Sequence, residues 1–358
     1  MLVAAGGTGG HMAPALAAAE ELDARGARVT FVTTPSQAGL VAGRYPAYTL
    51  DMRGFERRLL ARENVTTLRR LAAALPRAGG IVARVGPAVA VGGGGYLSGP
   101  ALVVAALRRV PCLALEADAH LGVANRLLRP FVRTMCLSFP IAGLGPPKYV
   151  LTGRPLSAAQ LAADAAEGRR LLDLSADLPV VLVFGGSQGA QSINRACLAA
   201  FGRERLDFQV VHVCGPRNHA EAERALAVAG ADVERYRLLP YTDQLAHVMA
   251  AADLVVGRSG GSLAEIAALG RPAILVPYPH ATADHQRKNA LWMTDAGAAI
   301  MVDDDELSGE LLGELVRRLL GDRELLDGMA RASRSLGRPD ATQRVADEVE
   351  RLMEGRTS

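Results

Sequence analysis

The chain lacks several features that define common classes of protein. Its 358 residues include one tryptophan, and its four cysteines are widely spaced without a CxxC pair, which predicts buried, reduced thiols. No apolar run approaches the roughly 20 residues that a membrane-spanning helix needs. The net charge of +3 is small for a nucleic-acid-binding protein, so no nucleic acid is predicted as a partner. From these absences we predict a globular protein that is soluble or bound to a membrane surface.

The glycine-rich loop near the N-terminus also lacks the residues of the common nucleotide-binding motifs. Segment 6–11 has neither the last glycine of GxGxxG nor the lysine of a Walker loop, and the second predicted strand, 28–33, ends without an acidic residue. These features argue against NAD and ATP. The loop does contain four glycines before an alanine-rich helix, so its backbone N–H groups are suited to bind another anion. A tight turn without a ligand is the alternative.

Short apolar runs alternate with longer amphipathic segments, and this pattern predicts parallel sheets covered by helices. Segment 138–155, with two adjacent prolines, interrupts the alternation and predicts a connection between domains. We therefore predict an α/β fold of two doubly wound, Rossmann-like domains facing a cleft. Their boundaries are 1–152 and 153–337, and a last helix within 338–358 is predicted to pack back on the first domain. Two helices of the first domain are predicted to begin at residues 14 and 99.

Three further glycine-rich loops follow predicted strands. Segment 91–100 lies in the first half of the chain, and segments 185–189 and 258–265 lie in the second. Because parallel strands place such loops at one edge of a sheet, we expect phosphorylated ligands there. The Ser187 hydroxyl is suited to a phosphate oxygen, and Glu265 is suited to the two hydroxyl groups of a ribose. The alternative for Glu265 is a first-turn carboxylate that interacts with the helix dipole.

Polar residues are concentrated again in segment 277–289, after another predicted strand, where they are suited to bind a sugar. His280, Asp284 and His285 raise the alternative of a metal site. The spacing of the two histidines does not place them on one helix face, and no third ligand is apparent. No metal is therefore predicted.

A basic segment with interleaved leucines is the remaining feature. Eight arginines oppose only Glu56 and Glu63 between residues 53 and 84. An ordinary helix with a solvated basic face is one interpretation. Contact with anionic lipid headgroups or a lipid pyrophosphate is the other.

Taken together, five motifs resemble the MurG family of N-acetylglucosaminyltransferases. They are Gly6-Gly7-Thr8-Gly9-Gly10-His11, Gly93-Gly94-Gly95-Tyr96-Leu97-Ser98-Gly99-Pro100, Gly185-Gly186-Ser187-Gln188-Gly189-Ala190, Arg258-Ser259-Gly260 with Glu265, and Asp284-His285-Gln286 with Asn289-Ala290. Their order and spacing match from the first loop to about residue 302. Two positions depart from the family pattern, because Asp118 replaces a binding asparagine and Ser157 replaces an arginine.

The resemblance implies a GT-B glycosyltransferase that transfers GlcNAc from UDP-GlcNAc to the C4 hydroxyl of MurNAc in lipid I, with inversion, to give lipid II. It implies a donor-binding second domain, an acceptor-binding and membrane-binding first domain, and no cofactor. It also implies a peripheral protein on the cytoplasmic side of the cell membrane, with anionic lipids and other cell-wall synthesis proteins as partners. The substrate-binding residues carried over are Thr8, Gly9, Gly10, Asp118, Asn125, Arg154, Ser187, Gln188, Thr242, Arg258, Ser259, Gly260, Gly261, Ser262, Glu265, Gln286 and Asn289.

By the same resemblance, Ser187 meets the diphosphate, Glu265 the ribose and Gln286 the GlcNAc. His11 is the candidate general base, since a free imidazole titrates near neutrality, although a binding role is the alternative. Three other functions are compatible with this sequence pattern: a glycolipid synthase with another lipid acceptor, a UDP-GlcNAc 2-epimerase, and a nucleotide-sugar-binding subunit without catalysis.

Overall fold

A computed structural model describes residues 1–7, 9–52, 62–186, 189–203, 205–232 and 234–355 of the chain, without the side chains of 62–69, 71 and 72. The predicted contacts Thr8, Ser187 and Gln188 lie outside the described residues, as do residues 53–61 of the basic segment. The chain divides into two compact units. The first comprises Met1–Ser157 and Pro339–Ser358, and the second comprises Ala158–Arg338.

The first unit contains a seven-stranded sheet in which all neighbouring strands are parallel. Its strands are β1 (Leu2–Ala4), β2 (Thr30–Thr33), β3 (Ala47–Thr49), β4 (Ala90–Gly92), β5 (Cys112–Glu116), β6 (Thr134–Leu137) and β7 (Tyr149–Leu151). Their spatial order is β3-β2-β1-β4-β5-β6-β7. The helices of this unit are α1 (Gly9–Ala24), α2 (Arg62–Val85), α3 (Gly95–Leu107), α4 (Val123–Leu128) and the C-terminal α14 (Ala341–Glu354).

The second unit contains a six-stranded parallel sheet. Its strands are β8 (Val180–Phe184), β9 (Gln209–Val213), β10 (Tyr236–Leu239), β11 (Leu254–Gly257), β12 (Ala273–Leu275) and β13 (Ala299–Met301). Their order is β10-β9-β8-β11-β12-β13. The helices are α5 (Ala158–Leu161), α6 (Ala165–Leu171), α7 (Gln191–Phe201), α8 (His219–Ala229), α9 (Leu245–Ala251), α10 (Leu263–Ala268), α11 (His285–Thr294), α12 (Gly309–Gly321) and α13 (Arg323–Leu336).

The central strands are buried on both faces because helices cover both sides of each sheet. Every residue of β8, β9 and β11 is buried, as expected for strands inside a parallel sheet. All four cysteines are buried free thiols, which confirms that prediction. The C-terminal α14 packs Val345, Ala346 and Val349 into the same apolar cluster as Leu22 of α1, and Arg25 pairs with two carboxylates of α14 at 2.7 and 2.9 Å.

Both sheets reverse their direction of strand addition once, and this reversal positions the candidate sites. The reversal lies between β1 and β4 in the first unit and between β8 and β11 in the second. Doubly wound sheets bind ligands outside the carboxyl ends of the strands at this switch point. The four glycine-rich loops of the sequence follow these four strands.

Two helices begin earlier than predicted. The structure starts α1 at Gly9 and α3 at Gly95, whereas the sequence pattern placed the first turns near Pro14 and Pro100. Proline favours the first turn because it has no N–H to donate, but here each proline lies in the second turn. The carbonyl of Gly10, four residues before Pro14, instead accepts a hydrogen bond from Arg154 Nη2 at 2.7 Å. The strand β7 and the helices α5, α6 and α8 were not predicted.

A series of buried side-chain hydrogen bonds crosses the core of the second unit beneath α7. Asn194 Nδ2 donates to the Cys214 carbonyl at 2.8 Å, which leaves its Oδ1 to accept from His212 Nε2 at 3.0 Å. The Tyr236 hydroxyl therefore donates to His212 Nδ1, at 2.8 Å. Both ring nitrogens of His212 are thus used by the neutral imidazole, and burial lowers its pKa to about 4.

We expect the second unit to lose stability as the pH falls from about 6.5 to 4 because of His212. The unfolded histidine binds a proton near pH 6.5 and the folded one near pH 4, so stability is full above 6.5 and decreases below it, by about 3 kcal/mol in total. Urea unfolding across this range, compared between wild type and His212→Gln, measures the effect. An equal pH dependence in both proteins would contradict the assignment, since carboxylates common to both contribute equally.

Candidate active site

The loop after β8 approaches the neighbouring backbone closely. Gly186 and Gly189 have φ values of +85° and +73°, which favour glycine. A side chain at Gly189 would overlap the Cys214 carbonyl oxygen and lie 2.5 Å from Asn218 Nδ2. The loop leads into the N-terminus of α7, where unpaired N–H groups favour an anion. This geometry is suited to a phosphate group.

Arg258, at the end of β11, is held by groups from three other segments. Its Nη1 lies 2.5 Å from Asp304 Oδ1 and donates to the Val276 and Pro277 carbonyls, and its Nη2 donates to Ser192 Oγ at 2.9 Å. Ser192 Oγ also donates to Asp304, at 2.6 Å. Arg258 therefore braces the ends of β11 and β12 against the first turn of α7. Asp304 was not predicted from the sequence, because nothing distinguishes it from the two other aspartates in the run of residues 303–305.

Replacing Asp304 with asparagine should destabilise the second unit by about 2 kcal/mol, because Arg258 keeps only 11% of its side chain exposed and would lose its counter-charge. Its neighbour Asp303 provides the matched control. Asp303 pairs with Arg287, and 39% of each side chain is exposed, so Asp303→Asn should cost less than about 1 kcal/mol. Chemical denaturation of both variants measures the difference, and equal losses would refute the bracing role.

The rest of the β11 loop is held by α11. Ser259 and Asn289 are fully buried, and Asn289 Nδ2 donates to the Ser259 carbonyl at 3.2 Å. Gln286 accepts a hydrogen bond from the Tyr278 N–H at 2.9 Å through Oε1. This orients its Nε2 toward Gly260, 4.0 Å from where a Cβ would lie. The structure therefore brings Ser259, Gly260, Gln286 and Asn289 together.

Glu265 and Thr242 lie on other elements that follow strands of the second sheet. Gly261 and Ser262 precede α10, and Glu265 lies in its first turn. Its Oε1 accepts a hydrogen bond from Gln160 Nε2 of α5, at 2.8 Å. Thr242 follows β10, where its hydroxyl accepts the N–H of Gln244 at 3.0 Å.

In the first unit the second glycine loop, after β4, lies against the imidazole of His11. His11 lies in the first turn of α1, and a side chain at Gly94 would lie 2.8 Å from its Cδ2. One at Gly95 would lie 3.2 Å from its Nδ1. Gly7 donates its N–H to Gln37 Oε1 at 2.8 Å. The glycines of the second loop are therefore needed for the position of the imidazole as well as for a turn.

Glu116 organises the loop that follows β5. It is 5% exposed and accepts hydrogen bonds from the N–H groups of Asp118 and Gly122, at 3.2 and 2.9 Å, and from Asn125 Nδ2 at 2.9 Å. Burial raises its pKa. Asn125 Oδ1 is buried and has no hydrogen-bond partner within the described part of the chain. Sequence analysis identified Asp118 and Asn125 but missed the carboxylate that holds them.

Among the described residues, no group of three histidine, cysteine or acidic side chains is placed to hold a metal ion. The same residues contain no helix that is both long enough and apolar enough to span a bilayer. Both units present glycine-rich loops at a switch point. The second adds carboxylate and amide groups suited to a nucleotide sugar, and the first adds an imidazole.

Known proteins are similar in sequence to this chain along nearly its whole length. The model of the glycosyltransferase family 28 N-terminal domain matches residues 1–137, and that of the glycosyltransferase family 28 C-terminal domain matches residues 180–345. Two relatives are named UDP-N-acetylglucosamine–N-acetylmuramyl-(pentapeptide) pyrophosphoryl-undecaprenol N-acetylglucosamine transferase. The protein from Halothermothrix orenii is 36% identical over 98% of both chains, and that from Moorella thermoacetica is 38% identical over 99% of both.

A solved structure agrees with these matches. The crystal structure of MurG from Acinetobacter baumannii is 28% identical, with a TM-score of 0.78 over 98% of this chain and 99% of that one. The two parallel sheets and their glycine-rich loops, together with this likeness, define a GT-B glycosyltransferase. The chain belongs to the MurG family of N-acetylglucosamine transferases.

Proposed function

We propose that this enzyme transfers GlcNAc from UDP-GlcNAc to the C4 hydroxyl of MurNAc in lipid I, giving lipid II. The observation that carries the proposal is full-length identity of 36–38% to relatives named for this donor and acceptor. The site in the second unit supports it, because the loops after β8 and β11 are suited to bind the donor. The relatives do not favour an epimerase or a synthase with another acceptor.

The reaction is a single displacement with inversion. The C4 oxygen of the acceptor attacks the anomeric carbon of GlcNAc, the bond from that carbon to the β-phosphate oxygen breaks, and UDP departs with the electron pair. His11 takes the proton of the attacking hydroxyl. N–H groups of the Gly185–Gly189 loop and the Ser187 hydroxyl stabilise the charge on the leaving diphosphate. Arg258 acts mainly by bracing these loops, because both of its Nη atoms are already bonded, to Asp304, Ser192 and two carbonyls.

The other predicted residues divide between the two substrates. Glu265 accepts the ribose hydroxyls, Gln286 donates to the sugar through Nε2, and Thr242 is proposed to contact substrate. In the first unit, Asp118, Asn125 and Arg154 are proposed to contact substrate, and the Glu116 carboxylate accepts hydrogen bonds from the Asp118 N–H and from Asn125 Nδ2. Thr8, Gly9 and Gly10 are proposed to contact the donor diphosphate.

Incubation of the protein with radiolabelled UDP-GlcNAc and lipid I tests this function. We expect the label to move into the lipid fraction. Release of free ManNAc would instead identify an epimerase, transfer to a different glycolipid would identify another synthase, and nucleotide-sugar binding without turnover would identify a binding subunit.

We also propose a peripheral position on the cytoplasmic face of the membrane, where lipid I is presented. A surface of α3 and α4 supports this proposal, because Leu107, Val123 and Leu127 are 72%, 59% and 69% exposed. Arg108 and Arg126 lie beside them in the sequence. Exposed apolar residues among arginines are suited to the interface of an anionic bilayer.

Binding to vesicles tests the membrane proposal. We expect the protein to float with phosphatidylcholine vesicles that contain phosphatidylglycerol, and less with phosphatidylcholine alone. The double variant Leu107→Ser, Leu127→Ser should reduce flotation, whereas Val228→Ser, which changes another exposed apolar side chain in the second unit, should not. Equal flotation of both variants would show that the α3–α4 surface does not mediate binding.

A further inference from the structure

Gln160 makes a contact in the donor site that no sequence motif indicated. It lies on α5, just after the boundary between the two units, and donates through Nε2 to Glu265 Oε1 at 2.8 Å. Both side chains are half-buried. Glu265 lies in the first turn of α10, directly after the β11 loop.

The segment that carries Gln160 is firmly attached to the second unit. The Asp164 N–H donates to His247 Nδ1 at 3.0 Å, and the Asp164 side chain caps α6 by accepting the Glu167 N–H at 2.8 Å. Gly168 of α6 lies directly against the His247 carbonyl of α9. The helices α6 and α9 therefore hold in place the segment that carries Gln160. The hydrogen bond from Gln160 to Glu265 follows from this packing.

We propose that Gln160 is a positioning residue for the donor, which orients the Glu265 carboxylate toward the ribose of a uridine nucleotide. This inference rests on the proposed function, in which Glu265 accepts the ribose hydroxyls. An ionised carboxylate has about four acceptor positions on its two oxygens. Gln160 occupies one of them on Oε1, and this hydrogen bond restricts the rotation of the carboxylate.

The position of Arg154 strengthens this assignment. Sequence analysis carried Arg154 over as a substrate-binding residue next to the substituted position Ser157, but Arg154 Nη2 donates to the Gly10 carbonyl within the first unit. Gln160 follows Ser157 by three residues and does contact a donor-site carboxylate.

Affinities for UDP and 2′-deoxy-UDP, measured by calorimetry, test the proposal without an acceptor. We expect wild type to prefer UDP, and Gln160→Ala to lower that preference about 3- to 10-fold, because a disoriented carboxylate loses part of its bond to the 2′-hydroxyl. Gln160→Glu, which keeps the size but adds a like charge, should lower it further. Gln343→Ala, an exposed glutamine on α14, is the matched control.

Kinetics provide the second readout. Gln160→Ala should raise KM for UDP-GlcNAc by a similar factor and leave kcat and the KM for lipid I within about twofold of wild type. An unchanged preference for UDP over 2′-deoxy-UDP in both Gln160 variants would overturn the inference. A wild-type protein that transfers no GlcNAc would refute the proposed function by itself, whereas the binding measurement would still decide the role of Gln160.

Discussion

Replacing His11 with alanine is expected to lower kcat for GlcNAc transfer about 10²- to 10⁴-fold, the usual contribution of a positioned general base. The expectation follows from the first turn of α1, which places the imidazole against Gly94 and Gly95. Without it, the proton of the attacking hydroxyl loses its proposed acceptor. Steady-state kinetics with both substrates varied measure the change, and KM for UDP-GlcNAc should change little.

Two further variants separate the possible roles of His11. His219→Ala on α8 removes another histidine and should leave kcat unchanged. Gly94→Ala would place a methyl group 2.8 Å from His11 Cδ2, so it should displace the imidazole and lower kcat without removing it. Near-normal kcat in His11→Ala, with a raised KM for lipid I, would contradict the base assignment and favour acceptor binding.

Replacing Gly168 with alanine should destabilise the second unit by about 3–5 kcal/mol. A Cβ at this position of α6 would overlap the His247 carbonyl oxygen and lie 2.6 Å from the carbonyl carbon. Backbone atoms cannot rotate away as a flexible side chain can, so α6 and α9 would have to separate. Chemical denaturation, followed by circular dichroism, measures the loss.

The control for Gly168 is Gly80 of α2, which is exposed and has no atom within 4 Å of where its Cβ would lie. Gly80→Ala should stabilise the protein by up to about 1 kcal/mol, because alanine has the higher helix propensity. Stabilisation of both variants would show that α6 and α9 do not pack as closely as described. The Gly168 variant should also weaken UDP binding, since α6 anchors the segment that carries Gln160.

Much of the fold could be predicted from local patterns in the sequence. Apolar runs such as Val180–Phe184, each followed by glycines and a helix, predicted parallel strands with loops at one sheet edge. The doubly wound α/β class and the family were confirmed. The starts of α1 and α3 were wrong, because a proline in a second helical turn cannot be distinguished by sequence from one in the first. The strand β7 lay in a segment whose glycines and prolines suggested only a connection.

The sequence by itself determined the family, the order of the strands and loops, and the residue types of the candidate site. Short-range spacing contains that information, because a strand, a glycine turn and a helix N-terminus are adjacent in the chain. Only the tertiary structure decided which polar groups support the site: Asp304 holds Arg258, Glu116 holds Asn125, and Gln160 holds Glu265. Between 9 and 105 positions separate these partners along the chain. Their contacts depend on how the elements pack, which local pattern does not specify.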